Sequence, residues 1–147
     1  MKKVAIADYL GDAEVTYDGR GKPIITTPTG YFISVSHSSH LCAVALGNTP
    51  LGVDVERRGE KESARLREKF FHEDEREQDF FDLWVKKEAF GKLLGDGVFA
   101  LRGKKLPADI NFYDFKKEAS ALAGQDFSAS LATESVASVS IAIRRDL

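Results

Sequence analysis

Three carboxylates stand where the surrounding pattern is apolar. Gly52-Val53-Asp54-Val55-Glu56 reads as a strand, so Asp54 and Glu56, two apart, project from one face while Val53 and Val55 point into a core. Trp84-Val85-Lys86-Lys87-Glu88-Ala89-Phe90-Gly91-Lys92 reads as a helix, with Trp84, Glu88 and Lys92 as successive i,i+4 neighbours and Phe80 and Phe81 extending the stripe by a turn. Like charges side by side repel, and burying them is costly without compensation. A hard divalent cation such as Mg²⁺, which takes oxygen ligands, is the natural compensation for Asp54, Glu56 and Glu88. The ordinary alternatives are a hydrated strand end for the Asp-x-Glu pair and, for Glu88, an exposed ion pair with Lys92 worth about 0.3–0.5 kcal/mol. Lys86 and Lys87 read as the solvated face of the helix.

A second constellation suits an anion. Ser36-His37-Ser38 follows directly on a strand, and hydroxyls with an imidazole at such a junction can hydrogen-bond a phosphate; a polar turn with a capping histidine is the alternative. Lys22 lies in a Gly-Lys-Pro turn that a proline stiffens. A Ser-His hydrolase is disfavoured, because adjacent residues are rarely placed as nucleophile and base and no G-x-S-x-G occurs. His40 and His72 have no comparable surroundings and read as surface or structural residues.

The elements that must position these groups alternate between strand and helix patterns. Val4 to Leu10, Tyr31 to Val35, Leu41 to Leu46, Gly52 to Glu56, Asp109 to Phe115, Phe127 to Leu131 and Val136 to Ile143 carry apolar or alternating strand signals. Asp18 to Pro23 and Thr26 to Gly30 read as loops. Ser63 to Phe71 has helical character, and Asp79 to Leu94 is a helix by its apolar spacing, stopped by Gly95-Asp96-Gly97. Gly91 inside it looks a poor choice, costing roughly 1 kcal/mol against alanine. The mixed order predicts an α+β fold, a small antiparallel sheet packed on the long helix.

Bulk properties bound the partners. The 147 residues are 43% hydrophobic and 30% charged with net charge -2, one ordinary domain and not the basic balance of a nucleic-acid binder. Cys42 is the single cysteine, which rules out an internal disulfide and argues against a cysteine-built metal site. Met1 to Leu10 lacks a signal-peptide pattern and no apolar run approaches spanning length, so a cytoplasmic setting without membrane contact is expected.

Taken together, Gly21-Lys22-Pro23, Phe32-Ile33-Ser34-Val35-Ser36-His37-Ser38, Gly52-Val53-Asp54-Val55-Glu56, Phe70-Phe71 and Trp84-x-x-Lys87-Glu88-Ala89-x-x-Lys92 resemble the 4'-phosphopantetheinyl transferases, in the order of their surfactin-type branch. The resemblance runs from about Arg20 to Gly97. It implies transfer of phosphopantetheine from coenzyme A to a serine of an acyl or peptidyl carrier protein, releasing 3',5'-ADP. By position, Asp54, Glu56 and Glu88 hold Mg²⁺, Glu88 also deprotonates the serine, Lys92 stabilises charge at the phosphate, and Lys22, Ser36 and His37 bind the 3'-phosphate. Glu75 aligns with an assisting acidic position. Relative to the branch, residues 1–49 form a reduced N-terminal half before a C-terminal half over 50–147, within one domain. The usual basic residues that grip coenzyme A have no evident counterpart there, Arg20, Lys2 and Lys3 being substitutes without motif support. A homo-oligomer is one way to complete the pocket and cover an apolar face. Arg65, Arg67 and Lys69 are candidate contacts to an acidic carrier helix. Two other readings compete: a degenerate relative that binds coenzyme A or a carrier with little turnover, and a Mg²⁺-dependent phosphohydrolase.

Overall fold

Alternation of side chains along the strands sorts the chain into three small antiparallel sheets. The computed structural model describes residues 11–59, 64–135 and 139–145. Among these, β1 (Glu14–Tyr17) pairs with β2 (Pro23–Thr27). A second sheet has the order β3-β4-β8, from Phe32–Ser38, Leu41–Gly47 and Val139–Arg145. A third has the order β5-β7-β6, from Leu51–Arg57, Phe127–Thr133 and Asn111–Asp114. Helices α1 (Ala64–Phe70), α2 (Phe80–Leu94) and α3 (Lys116–Ala123) complete the framework. The fold is α+β as expected, with α2 packed on β5 and β7.

Several boundaries differ from the sequence reading. Pro23–Thr27 is a strand although Pro23, Thr26 and Thr27 read as loop, because Pro23 and Ile25 are buried on one face while Ile24 stays exposed. Glu14–Tyr17 pairs with it without any apolar run of its own. α3 gave no helix signal: only Ala119 and Ala123 of it are buried, too little apolar surface to show periodicity. The expected strand over Val4 to Leu10, and the starts of the segments at Ser63 and Val136, lie outside the described residues.

β4 is buried on both faces, which explains its unbroken apolar run. Leu41, Ala43 and Ala45 meet Val53, Val55, Ala129 and Leu131 in the main core, while Cys42, Val44 and Leu46 pack beneath Ile25 and Ile33. β5 lies beside β3 through side chains. The amides of Val53, Val55 and Arg57 donate to the hydroxyls of Ser34, Ser36 and Ser38 at 3.0, 3.1 and 3.0 Å. A serine at every second position of β3 therefore satisfies every second amide of β5.

α2 begins at Asp79, whose carboxylate accepts the Asp82 amide, and ends at Gly95, left-handed at φ 85°. Two glycines set how closely it is held. A Cβ at Gly52 would fall 1.9 Å from the Ala89 carbonyl oxygen, and one at Gly91 would fall 2.5 Å from the Gly97 backbone. Gly91 is thus no propensity defect: it lets the chain after Gly95 fold back on the helix.

Candidate functional site

The close contact of Gly52 with α2 brings Asp54 against Lys92. Asp54 is buried beneath the helix, and its Oδ1 accepts from Ser36 Oγ at 2.9 Å and from Lys92 Nζ at 3.1 Å. Lys92 Nζ also donates to the carbonyls of Val53 at 2.9 Å and Val35 at 3.3 Å. The other oxygen, Asp54 Oδ2, is buried with no hydrogen-bond partner, as is the hydroxyl of Ser130, which faces Asp54 across the β5–β7 ladder. Burial pushes the Asp54 carboxyl up to about 7; Lys92 opposes the rise, and the charges of Glu56 and Glu88 add to it. Glu56 and Glu88 are half-buried. Asp54 therefore feels the charge of both other carboxylates of the sequence reading.

Ser36 has a different place from the one expected of a phosphate ligand. Its hydroxyl accepts the Val55 amide and donates to Asp54, so it orients the carboxylate. Beside this cluster lies a cavity of about 470 Å³ whose lining includes Arg20, Lys22, Ser34, His37, Lys92 and Asp96. Lys22 and His37 both line it. Lys22 Nζ donates to the Lys92 carbonyl at 3.1 Å, and Arg20 Nη1 donates to the Gly95 carbonyl at 2.8 Å. Both cations thus cap the carbonyl end of α2, where the helix dipole favours them. Arg20, without motif support in the sequence, stands on the same cavity.

A second buried pair was not legible. Lys87, read as a solvated residue, is 0% exposed. Its ammonium bonds Glu75 Oε1 at 2.8 Å and the Lys104 carbonyl at 2.6 Å, and lies over the Phe71 ring. Spacing could have found it, since Phe80, Trp84, Lys87 and Gly91 share one helical face. Glu75 also accepts the amides of His72 and Leu106. His72 caps the turn before it, and His40 bonds the Ala123 carbonyl at the end of α3. Both have the structural roles expected. Arg67, a candidate carrier contact in the sequence, donates to the carbonyls of Arg76 and Gln78 and covers Phe71 and Phe80.

Among the described residues no three His, Cys, Asp or Glu side chains form a ready-made metal cage. A cation still fits the chemistry: Asp54 has a buried oxygen without a partner, two further carboxylates act on it, and a lysine ammonium now supplies the positive charge. No helix among the described residues is long and apolar enough to cross a membrane.

A buried aspartate thus lies under a lysine-bearing helix, beside a cavity lined by Arg20, Lys22, His37 and Lys92 together with Asp96. Comparison with known proteins gives the family. Residues 50–143 match the profile of the 4'-phosphopantetheinyl transferase superfamily, and the chain belongs to that superfamily. It is 34% identical over 92 residues to the 4'-phosphopantetheinyl transferase psf-1 of Bacillus pumilus, covering 55% of this chain and 39% of that protein. It is 32% identical over 90 residues to gsp of Aneurinibacillus migulanus, 54% of this chain and 37% of that protein. It is 31% identical over 102 residues to ffp of Bacillus subtilis, 60% and 45% respectively. Both of these also bear the name 4'-phosphopantetheinyl transferase. The matched stretch spans less than half the length of each relative.

Proposed function

We propose that the protein transfers the 4'-phosphopantetheine group from coenzyme A to a serine of an acyl or peptidyl carrier protein. The observation that carries this reading is the buried Asp54–Lys92–Ser36 cluster beside a cavity on which Arg20, Lys22 and His37 also stand. Membership of the superfamily supports it.

In the reaction, the serine oxygen forms a bond to the phosphorus that carries the pantetheine arm. The bond from that phosphorus to the bridging pyrophosphate oxygen breaks, and 3',5'-ADP leaves with the electron pair. Glu88 takes the serine proton, directly or through a water. Lys92 offsets negative charge on the leaving phosphate, and Lys22 and His37 hold the 3'-phosphate in the cavity. Ser36 acts through Asp54, fixing the carboxylate by its hydrogen bond. Asp54, Glu56 and Glu88 would hold Mg²⁺, which when bound supplies charge neutralisation at the pyrophosphate. Residues 11–49 and the stretch from residue 50 onward act as parts of a single domain, in a cytoplasmic setting.

Intact-mass spectrometry of apo carrier proteins incubated with the protein, coenzyme A and Mg²⁺ tests the reading. The expected result is a gain of one phosphopantetheine mass that is lost in Glu88→Ala. No gain on any acyl or peptidyl carrier would overturn it, and retained coenzyme A binding would then identify a binding relative without turnover.

A further inference from the structure

Lys92 lines the cationic cavity, yet its charge is committed to the protein. An ammonium has three N–H donors, and here three acceptors meet it: the Val53 carbonyl at 2.9 Å, Asp54 Oδ1 at 3.1 Å and the Val35 carbonyl at 3.3 Å. The Lys92 side chain is 29% exposed and that of Asp54 only 6%. A lysine poised for an anion in an open cavity would keep at least one proton for it. This one spends all three on two strands and a carboxylate. Asp54 Oδ2 meanwhile has no partner, and Glu56 and Glu88 add negative charge around it. The ammonium sits where buried carboxylate charge demands a cation.

We propose that Lys92 is the resident counter-ion of Asp54, a built-in competitor that a divalent cation displaces, and that its displacement frees the ammonium for the anionic ligand in the adjoining cavity. The inference rests on the reading of Asp54, Glu56 and Glu88 as a cation site. Its consequence is thermodynamic coupling. A cation that takes over Asp54 releases Lys92 toward the anion, and an anion that draws Lys92 away vacates Asp54 for the cation, each raising the affinity of the other by the same factor. Cation and anion then bind cooperatively without any domain movement, because one flexible side chain on α2 has two alternative partners.

Calorimetric titration of Mg²⁺ into wild type and Lys92→Met at pH 8.5, with and without 3',5'-ADP, tests this. Wild type should bind Mg²⁺ more tightly when 3',5'-ADP is present. Lys92→Met, with the competitor removed, should bind Mg²⁺ alone roughly 5- to 150-fold more tightly than wild type, the usual range of such coupling, and should lose most of the enhancement by 3',5'-ADP. Should the variant fail to fold, ¹⁵N-lysine-labelled wild type gives the same answer. One ammonium signal, protected from water exchange, should shift or broaden as Mg²⁺ saturates. Equal or weaker Mg²⁺ affinity in a folded variant, or an ammonium signal unmoved by bound Mg²⁺, overturns the role of Lys92 while leaving the cation site standing. No Mg²⁺ binding to either protein, with or without 3',5'-ADP, removes the cation site and this inference together.

Discussion

Lys87 Nζ stands 2.8 Å from Glu75 Oε1 with the two side chains 0% and 3% exposed. The pair joins α2 to the turn at Glu73–Glu75, and each partner has further bonds: Lys87 to the Lys104 carbonyl, Glu75 to two backbone amides. Removing one member of such a pair leaves an uncompensated buried charge, at a cost of about 3–5 kcal/mol. Lys87→Met should lose stability of that order in urea unfolding. The double variant Lys87→Met with Glu75→Gln should lose clearly less than the sum of the two single changes. A Lys87→Met protein within 1 kcal/mol of wild type, a margin on the order of normal surface substitutions, would show that the pair contributes little.

The same pair sets a pH dependence. Burial pushes the Glu75 carboxyl up, but the Lys87 hydrogen bond and the amides of His72 and Leu106 outweigh it, and the net result lies below the ordinary 4.5. Between the lowered folded value and 4.5 the unfolded chain holds more protons, so stability rises with pH. The contribution is complete above the unfolded value and is lost as pH falls through the folded one. Wild type should therefore lose stability below about pH 5 more steeply than Glu75→Gln. Parallel stability curves for the two proteins between pH 3 and pH 6 would sink the assignment.

Alanine at Gly52 or Gly91 should destabilise, against the ordinary helix preference at Gly91. Propensity favours alanine by roughly 1 kcal/mol inside a helix, but the added methyl carbon would sit 1.9 Å from the Ala89 oxygen at one site and 2.5 Å from the Gly97 backbone at the other. Both obstacles are backbone, so the helix must move off β5 or off its own C-terminal loop. Overpacking of this kind costs typically 1–3 kcal/mol, and Gly52→Ala should also disturb the Asp54–Lys92 contact two residues on. A thermal midpoint for Gly91→Ala at or above that of wild type would contradict the close packing.

Much of this framework could be read from residue types alone, and what could not has physical causes. The α2 boundaries follow from Asp79 and Gly95, and the common face of Asp54 and Glu56 follows from strand period. Lys87 reads as solvated by its charge, yet it falls on the Phe80–Trp84–Gly91 face, and Glu75, the carboxylate that makes its burial tolerable, is twelve residues away. β1 and α3 bury too few apolar side chains to leave a periodic trace. Ser36 reads as a possible anion ligand in sequence. Only the side-by-side approach of β3 and β5, which no local pattern encodes, turns its hydroxyl onto the Val55 amide and Asp54.

Asp54 should show the opposite pH behaviour to Glu75, and its substitution should separate stability from activity. Burial lifts its carboxyl from 3.8 to about 7. Between those values the folded protein holds a proton that the unfolded chain has given up, so this group makes stability fall as pH rises through the window. Asp54→Asn removes the ionisation while keeping an oxygen that can accept from Ser36 and Lys92. The variant should therefore be at least as stable as wild type at pH 8 in the absence of divalent cations, with a flatter stability curve between pH 4 and pH 7. Its transfer activity should nevertheless fall by on the order of a hundredfold or more, because an amide supplies no negative charge to a cation at the site. Urea unfolding of both proteins across that pH range, alongside the carrier-protein mass assay, checks the two halves independently. A variant less stable than wild type at pH 8 would mean that the Asp54–Lys92 attraction outweighs the cost of burying the carboxylate. A variant of undiminished activity would mean that Asp54 is a structural residue and that any cation is held by other carboxylates.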